Sequence, residues 1–227
     1  MKKLIAFAVM TVAAVSLATA EIAVGVRGIF GIGLGTTTSD GFDFVLATAG
    51  YADNRFDFGN SLDFGGTAFV KIPVSDSLVI QPEFGFTHNM IGRKCSIYGQ
   101  DVRIKVSYNA IDIPVLVGWD FKVADGLTVT PLVGPKFSIP VGDGTVKIDV
   151  ASLGFEIKDD FEIDNIMLFS IVVGAEVAYR LGPGALVGDL RYNIGISDLN
   201  EDVGFGGSWS IATPRALQLS VGYQISF

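Results

Sequence analysis

Leu217-Gln218-Leu219-Ser220-Val221-Gly222-Tyr223-Gln224-Ile225-Ser226-Phe227 decides the fold. Every odd position is apolar and every even position is polar or small. Successive side chains of a strand point to opposite faces. This stretch is therefore a strand with one wholly apolar face and one polar face.

The same template fits seven stretches upstream. In 22–34, Ile22, Val24, Val26, Phe30, Ile32 and Leu34 oppose Ala23, Gly25, Arg27, Gly31 and Gly33. The others are 62–74, 78–87, 111–123, 127–141, 167–181 and 186–197. Each is about as long as, or longer than, the roughly 9 to 11 residues that a tilted strand needs to cross a bilayer. Before 111 the alternation starts at Val102, Ile104, Val106 and Tyr108, and its parity slips between Asn109 and Ile111. A bulge is expected there, since one inserted residue re-aims a strand.

Short and long connections alternate. Ser75-Asp76-Ser77, Ala124-Asp125-Gly126 and Gly182-Pro183-Gly184 are turn chemistry. The long connections cover roughly residues 36–61, 92–101, 142–165 and 200–214 and are rich in Asp, Asn, Gly and Ser. In the third, alternation persists at Val146, Ile148 and Val150 and at Phe155 and Ile157, so a hairpin projecting beyond the membrane is expected. The pattern predicts an all-β fold: an eight-stranded antiparallel up-and-down transmembrane β-barrel with short periplasmic turns and long extracellular loops. In hydrocarbon an open sheet edge leaves backbone groups unpaired, so the last strand must pair with the first. Pro73, Pro82, Pro114, Pro131, Pro135 and Pro140 must then fall at strand ends, bulges or gaps in the ladder.

Composition agrees. The chain has 227 residues, 49% of them hydrophobic and only 18% charged, and its mean hydropathy is positive. No stretch after Glu21 has the 18 or more uninterrupted apolar residues of a membrane helix. The apolar surplus is spread over alternate residues instead. The 28 Gly suit turns and a crowded inward face. The net charge of -8 makes nucleic acid an unsuitable partner, because phosphate binding needs a basic face.

Lys2 and Lys3, an apolar stretch over 4–18 and Ala18-Thr19-Ala20 form the three-part pattern of a secretory signal peptide. Cleavage after Ala20 is expected, leaving residues 21–227 as the barrel domain in the cell outer membrane. That mature chain carries 14 basic and 24 acidic residues, a net charge of -10. Its only cysteine, Cys95, allows no internal disulfide.

An apolar face could also line a soluble lipocalin-like barrel. Three features favour the membrane. Trp119, Phe121, Tyr179 and Tyr223 end the apolar faces near the short turns, as an interfacial aromatic girdle does. The opposite faces mix small residues with both charge signs, which suits the filled interior of a narrow barrel. The terminal Phe227 resembles the C-terminal signal read by outer-membrane assembly machinery. The expected partners are therefore outer-membrane lipid, that machinery and periplasmic chaperones.

Tyr108-Asn109-Ala110-Ile111-Asp112-Ile113-Pro114-Val115-Leu116-Val117-Gly118 resembles the aromatic then Ile-x-Ile-Pro strand of the PorT-like outer-membrane β-barrel family. Pro131-Leu132-Val133-Gly134-Pro135 is similar to its Gly-Pro strand. Arg191-Tyr192-Asn193-Ile194-Gly195-Ile196-Ser197-Asp198 and Leu219-Ser220-Val221-Gly222-Tyr223 resemble later parts. The resemblance implies an outer-membrane barrel. Pro131 stands where that family commonly has an aromatic.

The inward set contains Arg27, Lys71, Lys136, Arg180 and Arg191 facing Glu83, Asp112, Glu176 and Asp189. Eight strands enclose just enough room for side chains. A paired lumen charge network is expected, since unpaired buried charge is costly. The only histidine, His88, is placed by parity on the lipid side near the outer end, away from a catalytic setting. No enzymatic activity, cofactor or metal is expected. The functional expectation is a monomeric structural, adhesive or surface-recognition protein, whose extracellular ligand the sequence does not specify. A small channel for hydrophobic or small polar solutes is the alternative.

Overall fold

The computed structural model describes residues 21–34, 51–57, 61–97, 100–150, 154–163, 167–202, 208–212 and 214–227. The expected signal peptide lies outside the described residues. In chain order the elements are β1 (Ala23–Gly33), β2 (Tyr51–Phe56), β3 (Leu62–Pro73), β4 (Leu78–Ile97), β5 (Gln100–Trp119), β6 (Phe121–Ala124), β7 (Leu127–Val150), β8 (Phe155–Phe161), β9 (Leu168–Leu181), β10 (Gly184–Gly195), β11 (Leu199–Asp202), β12 (Ser208–Ala212) and β13 (Arg215–Ser226).

Eight of these, β1, β3, β4, β5, β7, β9, β10 and β13, are the staves of a closed antiparallel barrel. Each pairs with the next along the chain, and β13 returns to β1 in register from Ala23↔Ser226 to Gly33↔Ala216. The Phe227 amide donates to the Ile22 carbonyl at 2.9 Å, extending the seam by one bond. The remaining elements are accessory. β2 pairs with β4, β6 with lower β7, β8 with upper β7, and β11 with β12.

The alternation maps onto inside and outside as membrane insertion demands. Val26, Phe30, Phe64, Phe84, Val173, Tyr179, Leu190, Leu219 and Val221 are exposed on the outer wall. Arg27, Lys71, Gln81, Glu83, Thr130, Glu176, Asp189, Arg191 and Gln218 are buried inside. A soluble lipocalin-like barrel would have the reverse arrangement. The prolines fall where the ladder is interrupted. Pairing of β3 with β4 skips from Phe69↔Glu83 to Ile72↔Ile80 around Pro82. Pairing of β5 with β7 skips from Pro114↔Lys136 to Val117↔Val133 across Pro135. Pro73 ends β3, and Pro131 lies between the last β5 partner, Leu132, and the first β6 partner, Val129.

The structure corrects two expectations about the outer end. The expected long loop over 92–101 is mostly strand: β4 runs to Ile97 and β5 starts at Gln100, and the two pair as far as Ile97↔Gln100. The parity slip near Asn109 is not a bulge in that strand. Val102, Ile104, Val106, Tyr108, Ala110, Asp112, Leu116 and Gly118 are all buried, so the pleat of β5 continues unbroken while the chemistry of its faces changes. Below Ala110 the outer face is apolar because it meets lipid. Above Asn109 it meets water, and the inner face becomes apolar. The irregularity is on β7, which uses four residues from Val141 to Thr145 where β5 uses two from Ser107 to Asn109. Gly142, with φ 73°, allows the turn of backbone there, since a side chain is disfavoured at positive φ.

Upper β4, β5, β7 and β8 thus form a sheet that rises beyond the apolar belt. Val102 and Ile104 pack with Ile148 and Val150, and Ile91, Val106, Tyr108, Ala110, Phe161 and Leu168 form an apolar cluster beneath them. Depth gives a test. Leu219→Arg, in mid-belt, should destabilise the barrel in lipid vesicles by about 2–4 kcal/mol. Ser107→Arg, on the same outward face above the belt, should stay within about 0.5 kcal/mol. Urea unfolding midpoints distinguish the two, and equal losses would contradict this placement of the membrane boundary.

Candidate functional site

Polar side chains converge in the lumen because the inward parity of six staves delivers them to one level. Arg27 from β1 is the hub. Its guanidinium ion-pairs with Glu83 of β4 at 3.4 Å, with Glu176 of β9 at 3.2 Å and with Asp189 of β10. Arg191 donates through both Nη atoms to the two oxygens of Glu83, each at 2.8 Å, a bidentate fork. Lys71 of β3 reaches Glu176 at 3.3 Å, Asp120 at 2.8 Å and the Thr130 hydroxyl at 3.1 Å. The Gln81 amide donates to Glu83 at 2.8 Å and to Glu176 at 3.4 Å. Asp189 and the Arg191 Nε lie 3.0 Å apart in charge contact without forming a hydrogen bond.

Packing leaves little freedom. The Arg27 guanidinium stands over the Phe69 ring, 3.9 Å from its centre. A Cβ added to Gly222 would lie 2.6 Å from the Arg27 Cβ, and one added to Gly25 would lie 2.6 Å from the Phe69 Cε1. Glycine is what makes room for the pair. Nearer the outer end a second group forms: Asp112 accepts from Thr87 at 2.8 Å and from Ser138, with Lys136 at 3.4 Å. Asp63 accepts from the Met90 amide at 2.7 Å. The cavity beside Asp63, Lys136 and Asn193 measures about 20 Å³, room for about one water. Above it sits the apolar cluster of Ile91, Val106, Tyr108 and Phe161. At the short-turn end the lumen opens into a vestibule of about 990 Å³ lined by Lys71, Asp120, Lys122, Asp125, Arg180 and Gln224.

The structure therefore sorts the expected lumen charges into two groups. Arg27, Lys71, Glu83, Glu176, Asp189 and Arg191 meet in one network, whereas Asp112 and Lys136 meet in another. Arg180 has inward parity but is exposed at the vestibule. Phe69, Gln81, Thr130 and Asp120 belong to the network and were not singled out from the sequence. Their parity was legible, but their partners lie on other strands. Trp119, Phe121 and Tyr179 are exposed on the outer wall near the short turns, and the Tyr223 hydroxyl donates to the Leu181 carbonyl at 2.7 Å. Phe227 is 79% exposed. Aromatic residues also cluster towards the outer end of the wall, where Phe30 is in register with Phe64 and Phe137 is 5.5 Å from Phe169. His88 bonds Asn109 through Nδ1 at 2.8 Å and packs 5.0 Å from the Phe64 ring. Among the described residues no group of three or more His, Cys, Asp or Glu is placed to hold a metal ion.

Taking charges out of water is expensive, and removing one partner strands the others. Glu83 serves Arg27, Arg191 and Gln81 together. Glu83→Ala should therefore cost about 3–5 kcal/mol, seen as a lower urea midpoint in vesicles. Asp149→Ala, on the projecting sheet, should change it by less than about 0.5 kcal/mol.

No curated protein matches the chain in sequence. Among solved structures, Ail, the attachment invasion locus protein of Yersinia pestis, is 14% identical, with a TM-score of 0.35 over 91% of this chain and 97% of that one. Neisserial surface protein A is also 14% identical, with a TM-score of 0.41 over 91% and 97%. A major outer membrane protein from Thermus thermophilus is 14% identical, with a TM-score of 0.47 over 91% and 99%. The family model for the outer membrane protein beta-barrel domain matches residues 17–201. The chain belongs to the outer membrane protein beta-barrel domain family and is an integral β-barrel of the outer membrane.

Proposed function

We infer that this barrel is a closed-lumen protein with a structural or surface-recognition role, adhesion included, and that it transports no solute. The observation that carries the reading is the filling of the lumen above the vestibule at the short-turn end. In the lower network Arg27, Lys71 and Arg191 pair with Glu83, Glu176 and Asp189, with Asp120 also on Lys71; Asp112 and Lys136 pair above them, and apolar side chains occupy the outer end. Such an interior offers no continuous water-filled path from one end to the other. What remains for contact with the environment is the extracellular end, where the strands rise beyond the belt.

The finer parts of the reading rest on sequence. The Tyr108–Gly118 motif supports a PorT-like member of the family, and Phe227 supports recognition by the assembly machinery with chaperone escort through the periplasm. The outer wall is taken to contact lipid around a monomer. We read the chain as non-enzymatic, because the His88 imidazole is occupied by Asn109 and Phe64 on the outward face. Planar-bilayer recording tests the closed lumen. The purified barrel should insert without steady single-channel current, and reproducible unitary conductance would overturn this reading in favour of a small channel.

A further inference from the structure

The outward face of the projecting sheet carries a charge pattern that folding alone does not favour. Register places Lys105 of β5 opposite Lys147 of β7, and Lys147 opposite Lys158 of β8. The neighbouring row places Lys94 of β4 opposite Arg103 of β5. Directly opposed residues have Cβ atoms only about 4.5–5.5 Å apart, and like charges there are destabilising. Acidic residues share the sheet: in that neighbouring row Asp149 stands opposite both Arg103 and Glu156, and Asp101 and Asp160 lie on the same face. The ion pairs of Lys147 with Glu156 at 2.8 Å and of Lys94 with Asp57 at 3.2 Å are solvent-exposed on the lysine side. Exposed pairs of this kind contribute little. The lysine row nevertheless runs unbroken across three strands, in a chain whose net charge is -8.

Its height is as specific as its charge. The row continues the outer wall of the barrel, four residues above Asn109 on β5, where the outer face stops being apolar. At a rise of about 3.3 Å per residue and a tilt near 45° this is roughly 9 Å above the belt. That level is the outer edge of the headgroup layer, which adds about 5–7.5 Å to each side of the hydrocarbon. Lipid phosphates lie beside the row at that level, where a soluble anion would have to compete with them.

We propose that Lys105, Lys147 and Lys158 form a binding row for phosphate groups of the outer-leaflet glycolipid, flanked by Lys94 and Arg103. Lipid phosphate neutralises the opposed lysines and holds the projecting sheet at the membrane surface. This role requires neither a closed lumen nor an adhesive partner.

The test uses the folded full chain in mixed micelles with a bisphosphorylated lipid A as the probe. The wild type should bind it, and a dephosphorylated form at least about tenfold more weakly. The triple variant Lys105→Gln, Lys147→Gln, Lys158→Gln should lose on the order of tenfold to a hundredfold in affinity. In phosphatidylcholine vesicles without glycolipid, the same variant should unfold at a urea concentration no lower than the wild type, because like-charge repulsion is relieved. A row that merely supports the fold would instead lose stability there. Lys158→Gln alone supplies a mild variant, and replacement of all three lysines by Arg should preserve binding. Undiminished binding by the triple Gln variant, or binding independent of the phosphates, overturns the proposal. Full competition by equimolar inorganic phosphate overturns the membrane assignment in favour of a soluble anion.

Discussion

Backbone amides and carbonyls must find partners inside a solvent that offers none, and the whole molecule is arranged around that requirement. Each unpaired group in hydrocarbon costs several kcal/mol. The pairing of β13 with β1 from Ala23↔Ser226 to Gly33↔Ala216 removes the two edges an open sheet would expose. Closure then separates two environments. A strand that sits in such a wall must be apolar on one face, and its other face is sealed from water by the neighbouring strands. The same constraint explains the prolines, which lack an amide to donate and stand where the ladder between β3 and β4, or between β5 and β7, is already interrupted.

Closure also creates the energetic problem that the lumen solves. A narrow barrel buries whatever its inward residues carry, and here they carry ions. Arg27 alone answers carboxylates on three other staves, Glu83, Glu176 and Asp189. Such an arrangement ties β1, β4, β9 and β10 across the interior rather than along the sheet. Its net worth against an apolar filling is small, but its disruption is costly. The network is thus better regarded as a constraint on strand register than as a large source of stability. Phe69, beneath the Arg27 guanidinium, gives that charge a face to rest on and closes the lower lumen with Ala178 and Val187.

β5 shows how solvent, rather than sequence, defines inside and outside. One uninterrupted pleat carries Val106 and Tyr108 inward at the top and Asp112 inward below. The apolar residues change faces because the surroundings of the outer face change from lipid to water. In the sequence the change looks like an inserted residue, since a bulge and an environmental boundary both invert the apparent parity. Only the pairing partner tells them apart. Register from β4 to β5 stays in step through this region, while the extra residues appear at Gly142 and Asp143 on β7.

Much of the architecture was legible beforehand. Period-two alternation marked the staves, turn residues marked the periplasmic connections, and the need for closure supplied the seam between the first and last strands. These are local or general properties, set by the pleat and by the solvation of peptide groups. The lumen charges were legible as inward-facing residues for the same reason. Their grouping was not. Arg27 meets Asp189 across 162 residues of chain, and Lys147 stands beside Lys105 on one side and Lys158 on the other. Such meetings depend on the stagger of each strand against its neighbours, which a shift of one residue would undo. Within the apolar belt the sequence by itself determined which side chains face the lipid and which face the lumen. Only the tertiary structure decided which charges meet, because partners across a barrel are set by register and closure rather than by any spacing along the chain.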